Sequence, residues 1–81
     1  MSERAMLKGR LYELEAQIKD AETRMKSAAE RIGVLVNPLI HDLADMPVAE
    51  AAAIMDDLVL LQAGLLSARS KAEAIKRDLY D

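Results

Sequence analysis

The residues of this chain that could carry out chemistry are few, and they lie near the middle of the sequence. His41 is the only imidazole, with Asp42 beside it and Asp45 four residues further on. A His–carboxylate group can act as a general base or hold a metal ion, but only with a nucleophile or further ligands. None converges on this segment, and the absence of Cys removes thiolate metal sites and disulfides. We therefore expect no enzyme activity, no metal and no cofactor.

Two further sets of charged residues also fail to indicate a catalytic or binding site. Asp56 and Asp57 are neighbours, and adjacent residues of a helix point about 100° apart, so their carboxylates do not form a catalytic pair. The basic residues near the two ends are interleaved with acidic ones, the net charge is −3, and Tyr12 and Tyr80 are the only aromatic residues. Without a basic surface or aromatic side chains for base stacking, we predict no nucleic-acid binding.

Composition predicts an all-α protein. Hydrophobic residues make up 52% of the chain and aromatic residues only 2%, and Ala, Leu, Glu, Lys, Arg and Met, which favour helices, dominate. No signal peptide follows Met1, and no continuous apolar run approaches the roughly 18–20 residues of a bilayer span. We therefore expect a soluble, cytoplasmic chain without membrane contact.

The first helix is predicted over residues 3–35, with Ser2 as its N-cap. Its apolar positions alternate at spacings of four and three, the heptad pattern of a coiled coil. They are Leu7, Leu11, Leu14, Ile18, Ala21, Met25, Ala28, Ile32 and Leu35.

A linker over residues 36–46 is predicted next. Asn37 ends the first helix because the residue before proline is disfavoured in the α region, and Asn37-Pro38 can also begin a short helical turn near 38–43. The second helix is predicted over 47–79, with Pro47 in its first turn. It carries a second heptad pattern: Ala51, Ile54, Leu58, Leu61, Leu65, Ala68, Ala72, Ile75 and Leu79.

Two heptad helices with a short connection predict one domain over residues 1–81, an antiparallel two-helix coiled-coil hairpin. Pairing Leu11 with Ile75 and Ile32 with Ile54 sets the register and centres the fold-back near Leu43. That register predicts three flanking ion pairs: Arg10 with Asp78, Arg31 with Asp57, and Glu15 with Arg69.

The second helix remains apolar beyond its predicted seam. Such a helix must be buried on more than one side, and one partner helix cannot do that. We therefore predict a homo-oligomer, a four-helix-bundle dimer above all, or docking to a different protein partner. The interface residues we expect are Met55, Val59, Leu60, Leu66, Leu39 and Ile40.

Charge is distributed unevenly along the chain. Residues 32–68 contain five acidic residues and no Lys or Arg, so all eleven basic residues lie at 4–31 and 69–77. The hairpin should therefore have an acidic, apolar turn half and an open half of mixed charge. This charge distribution suits a four-helix dimer joined through the second helix, or docking of the hairpin into an apolar, basic-rimmed groove of another protein.

The acidic segment Asp42-Leu43-Ala44-Asp45 at the fold-back resembles the tip of the coiled-coil transcript-cleavage and secondary-channel factors that enter RNA polymerase. The resemblance implies that Asp42 and Asp45 form a tip that acts on another protein. This chain lacks the second domain of those factors, and Pro47 stands where their tip continues as a helix. A small regulator, antitoxin-like or transcription-associated, is therefore the alternative to a structural or adaptor protein.

The whole outline consists of a charged heptad helix, an Asn-Pro break, an aliphatic-acidic linker and an Ala/Leu-rich helix ending in Lys-Arg-Asp-Leu-Tyr. It resembles the short helical-hairpin proteins that bacterial prophages encode. The resemblance implies a bacterial or phage setting and adds no catalytic residue.

Overall fold

The structure, a computed structural model, describes residues 2–80. Helix α1 spans Glu3–Leu35, a 3₁₀ turn spans Leu43–Asp45, and helix α2 spans Val48–Tyr80. The two long helices pack against each other as a hairpin, and no strand occurs among the described residues. The result is a rod of 61 × 20 × 15 Å. Helices of 33 residues account for about 50 Å of this length at 1.5 Å per residue, and the connection extends beyond their ends.

The ends of α1 are set by local hydrogen bonds. The Ser2 side chain accepts a hydrogen bond from the backbone N–H of Ala5 at 3.1 Å, which satisfies one of the free donors in the first turn. At the other end, the Val36 N–H donates to the carbonyl of Ile32 at 3.0 Å. Asn37 and Pro38 follow directly, where the helix cannot continue.

The connection contains two short turns rather than the single helical turn predicted near residues 38–43. The first begins at Asn37, whose side-chain oxygen accepts from the Leu39 N–H at 2.9 Å and whose carbonyl accepts from the Ile40 and His41 N–H groups at 3.1 Å. The second is the 3₁₀ turn that Asp42 precedes. Pro38 allows the first turn because its missing N–H is not needed at a first helical position.

Helix α2 begins one residue later than the predicted position 47. Met46 is extended, with φ −58° and ψ 126°, as a residue before proline prefers. The Pro47 carbonyl then accepts from the Ala51 N–H at 3.1 Å, so Pro47 directly precedes the first helical residue. The far end, predicted at residue 79, extends to Tyr80.

The residues with heptad spacing form the seam between the helices, because none of them is exposed. Burial along this seam is uneven. In the open half a cluster is buried, with Leu7 and Ile18 packed against it: Leu11, Leu14, Ala68, Ala72, Ile75 and Leu79. Outside this cluster only Ala51 and Leu65 of residues 2–80 are buried, and the seam residues nearest the turn are otherwise half-buried.

Ion pairs flank the seam on both sides, with partners that differ from the predicted ones. Arg31 pairs with Glu50 at 2.9 Å instead of Asp57, and Arg69 pairs with Glu22 at 3.4 Å instead of Glu15. Each arginine reaches an acidic residue seven positions from the predicted one, on the same side of the hairpin. The predicted pair of Arg10 with Asp78 is not formed among residues 2–80. Exposed pairs of this kind contribute only about 0–1 kcal/mol each.

The packed open half predicts a large effect of enlarging its least exposed side chain. Ala72 is 3% exposed, so Ala72→Leu should lower the free energy of unfolding by about 1–3 kcal/mol through overpacking. Ala74→Leu makes the same change at an exposed position and should stay within about 0.5 kcal/mol. Urea unfolding at one fixed chain concentration measures both, and equal effects would place Ala72 outside a packed core.

Candidate interaction surface

The acidic turn offers no assembled chemical site. Asp42 and Asp45 are exposed, and the Asp45 N–H donates to the Asp42 carbonyl at 3.0 Å. His41 is half-buried, and its Nε2 has no hydrogen-bond partner within the described part of the chain. Within residues 2–80, no group of three or more His, Cys, Asp or Glu side chains could hold a metal ion.

All six apolar residues predicted to form an interface are exposed. The largest exposures are those of Leu39 in the connection, at 94%, and Leu60 on α2, at 72%. Met55, Val59 and Leu66 on α2 are also exposed, as is Ile40 in the connection. In this hairpin, therefore, none of the predicted interface residues is covered by the chain's own fold.

Met55, Val59 and Leu66 belong to one continuous row on α2. Leu66 lies three residues before Arg69 and Met55 fourteen before it, so both lie on the side of the hairpin where Arg69 meets Glu22. Val48 and Ala52 extend the row toward the turn, and both are exposed. We call Val48, Ala52, Met55, Val59 and Leu66 the lateral stripe; its spacings of four, three, four and seven are those of a second heptad seam.

Leu60 lies on the opposite side of α2. It lines an open groove of 510 Å³ between the helices, together with Ala21 and Arg24 of α1 and Asp57 and Gly64 of α2. Adjacent helical residues point about 100° apart, which separates Leu60 from Val59. The residues predicted on α2 thus form two surfaces, the lateral stripe and a smaller groove around Leu60.

Val48 and Ala52 were not among the predicted interface residues. Their signal was nevertheless present in the sequence, since positions 48, 52, 55, 59 and 66 repeat with heptad spacing offset from the main seam. The apolar character of α2 on all sides hid this second repeat, because any helical row through an Ala/Leu-rich segment contains apolar residues.

Helix α2 is long and apolar enough, by length and composition, to cross a membrane. Of its most apolar 18-residue window, 17% is buried in the hairpin. Asp56 and Asp57 interrupt the apolar run, so a count of consecutive apolar residues does not identify this window. The absence of membrane contact stays a prediction.

The glycine in the groove provides a test of whether another helix packs there. A Cβ added at Gly64 would meet no atom within 4 Å, and the same holds for Gly9 near the start of α1. Glycine in a helix interior costs roughly 1 kcal/mol relative to alanine. Gly64→Ala and Gly9→Ala should therefore each raise the free energy of unfolding by about 0.5–1 kcal/mol, measured by urea titration. If Gly9→Ala raises the free energy of unfolding but Gly64→Ala lowers it, a second molecule approaches Gly64 closely.

The chain matches no protein-family model, no curated protein and no solved structure.

Proposed function

We propose that this protein is a non-enzymatic structural or adaptor protein that associates through the apolar outer surface of α2, with itself first of all. The observation that carries the proposal is the lateral stripe, five apolar residues in a heptad row that the hairpin leaves exposed. A contiguous exposed apolar surface of this kind is typical of a protein–protein contact. The assembly we favour is a four-helix bundle of two hairpins.

The uneven burial of the seam supports the same proposal. Around the buried cluster of the open half, two helices suffice to cover the apolar side chains. In the turn half, Ile32, Ile54 and Leu58 remain half-buried although they face the partner helix. A second layer of helices beside the turn half would remove both these residues and the lateral stripe from water.

Two carboxylates placed on the lateral stripe should prevent association. Val59→Asp with Leu66→Asp would bury two charges at the contact, which costs several kcal/mol per uncompensated ion. We expect a monomer of 8.9 kDa, or insoluble protein, where the wild type has at least twice that mass. Size-exclusion chromatography with light scattering measures the result.

The matched control is Ser67→Asp with Ala74→Asp. These positions are also seven residues apart on α2 and exposed, but they point away from both the seam and the stripe. The control should keep the wild-type mass. If the stripe variant also keeps the wild-type mass and solubility, the lateral stripe is not an association surface.

A second candidate function is a small regulator that binds another protein through the acidic turn. The exposure of both Asp42 and Asp45 favours it, since a tip that reaches a partner needs free carboxylates. If so, the wild-type hairpin should capture purified bacterial RNA polymerase, and the double variant Asp42→Asn with Asp45→Asn should not. If the double variant still captures the polymerase, or if the wild type does not capture it, this candidate function is wrong.

A further inference from the structure

We propose that the lateral stripe is covered by the lateral stripe of a second copy, antiparallel to the first, with the two-fold axis crossing the stripe at the level of residue 57. This inference rests on the proposed function, because it specifies the partner and the register of the same surface. In this arrangement the turn of each hairpin lies beside the open half of the other. Both copies use the same residues, as a two-fold interface requires.

The spacing of the stripe selects this register. An antiparallel pair centred at residue 57 places Val48 opposite Leu66 of the second copy and Met55 opposite Val59 of the second copy. Ala52 then meets Gln62 of the second copy, the one polar residue in the row. Every apolar residue of the stripe is covered, in six layers related by symmetry.

Other registers leave the stripe opposite charges or the turn. Centring the pair at Gly64, the midpoint of α2, would align the helices along their full length but set Val59 opposite Arg69 of the second copy and Met55 opposite Glu73 of the second copy. A shift toward the turn sets Leu66 opposite His41 of the second copy, beyond the start of the helix at Val48. Only the axis at the level of residue 57 keeps every stripe residue away from charged side chains and from the turn, with Gln62 opposite Ala52 as the one polar layer.

The accessible surface of the hairpin is large enough to supply a dimer interface. Its accessible surface is 6175 Å², whereas a folded monomer of 8.9 kDa is expected to expose about 4,800 Å². The excess of about 1,400 Å² per chain exceeds the roughly 800 Å² that each partner buries in an ordinary specific interface.

Charge selects the antiparallel direction. The 32–68 segment has acidic residues and no basic ones, so a parallel pair would place two acidic turns side by side. The antiparallel pair instead places the turn, with Asp42 and Asp45, beside Arg69 of the second copy, which lies on the same flank as the stripe. Opposite charges across an interface fix orientation even where they add little affinity.

Spin labels test the register, and the absence of native Cys makes single-site labelling clean. Asp56, Ala63 and Ser70 are exposed and seven residues apart, so labels at Asp56→Cys, Ala63→Cys and Ser70→Cys project from the same side of α2. With the axis at residue 57, the axial separations between the two copies should be about 3, 18 and 39 Å, at 1.5 Å per residue. Continuous-wave and pulsed dipolar EPR measure the distances.

An increase in distance from position 56 through 63 to 70 supports the proposed dimer. Equal distances at the three positions would indicate a parallel pair, and a minimum at 63 would indicate full-length overlap; either overturns the register while self-association stands. The absence of any distance between chains overturns both the register and self-association. If the labels of such a monomer lose mobility when phosphatidylcholine vesicles are added, the stripe is a membrane contact instead.

Discussion

The structure depends on one constraint: a helix with apolar side chains on more than one side needs more than one neighbour. Helix α2 presents its seam to α1 and its lateral stripe to solvent on the flank where Arg69 meets Glu22. Water ordering around exposed apolar area makes such a stripe costly, at roughly 25 cal/mol per Å². The hairpin satisfies one of the two surfaces by itself, and the proposed association follows from the other.

The two halves of the rod consequently differ in what holds them together. The open half contains the buried cluster around Leu14, Ala72 and Ile75, and it is packed within one chain. The turn half has a largely half-buried seam, and it leaves Leu39 and Leu43 exposed in the connection. Regions with few buried contacts open most readily. Stability in the turn half is therefore the property that a second copy would supply.

The sequence predicted the all-α hairpin because the heptad rows encode which residues face the partner helix, and the least exposed residues are those in the two rows. The turn chemistry was partly predictable: Asn37 and Pro47 act as expected, but two short turns between them could not be resolved from residue preferences. The acidic partners of Arg31 and Arg69 were predicted on the correct side of the hairpin but seven residues away, because long arginine side chains reach along the helix surface. The stripe was obscured by the apolar composition of α2, in which several helical rows consist mostly of apolar residues.

Hydrogen exchange of the wild-type protein across a dilution series tests the central claim most directly. If the turn half depends on a second copy, amide protection over residues 48–66 should fall as the chain is diluted, while protection over residues 68–79 persists to lower concentration. Protection that is independent of concentration along the whole of α2 would contradict the account, since the hairpin would then be complete as a single chain.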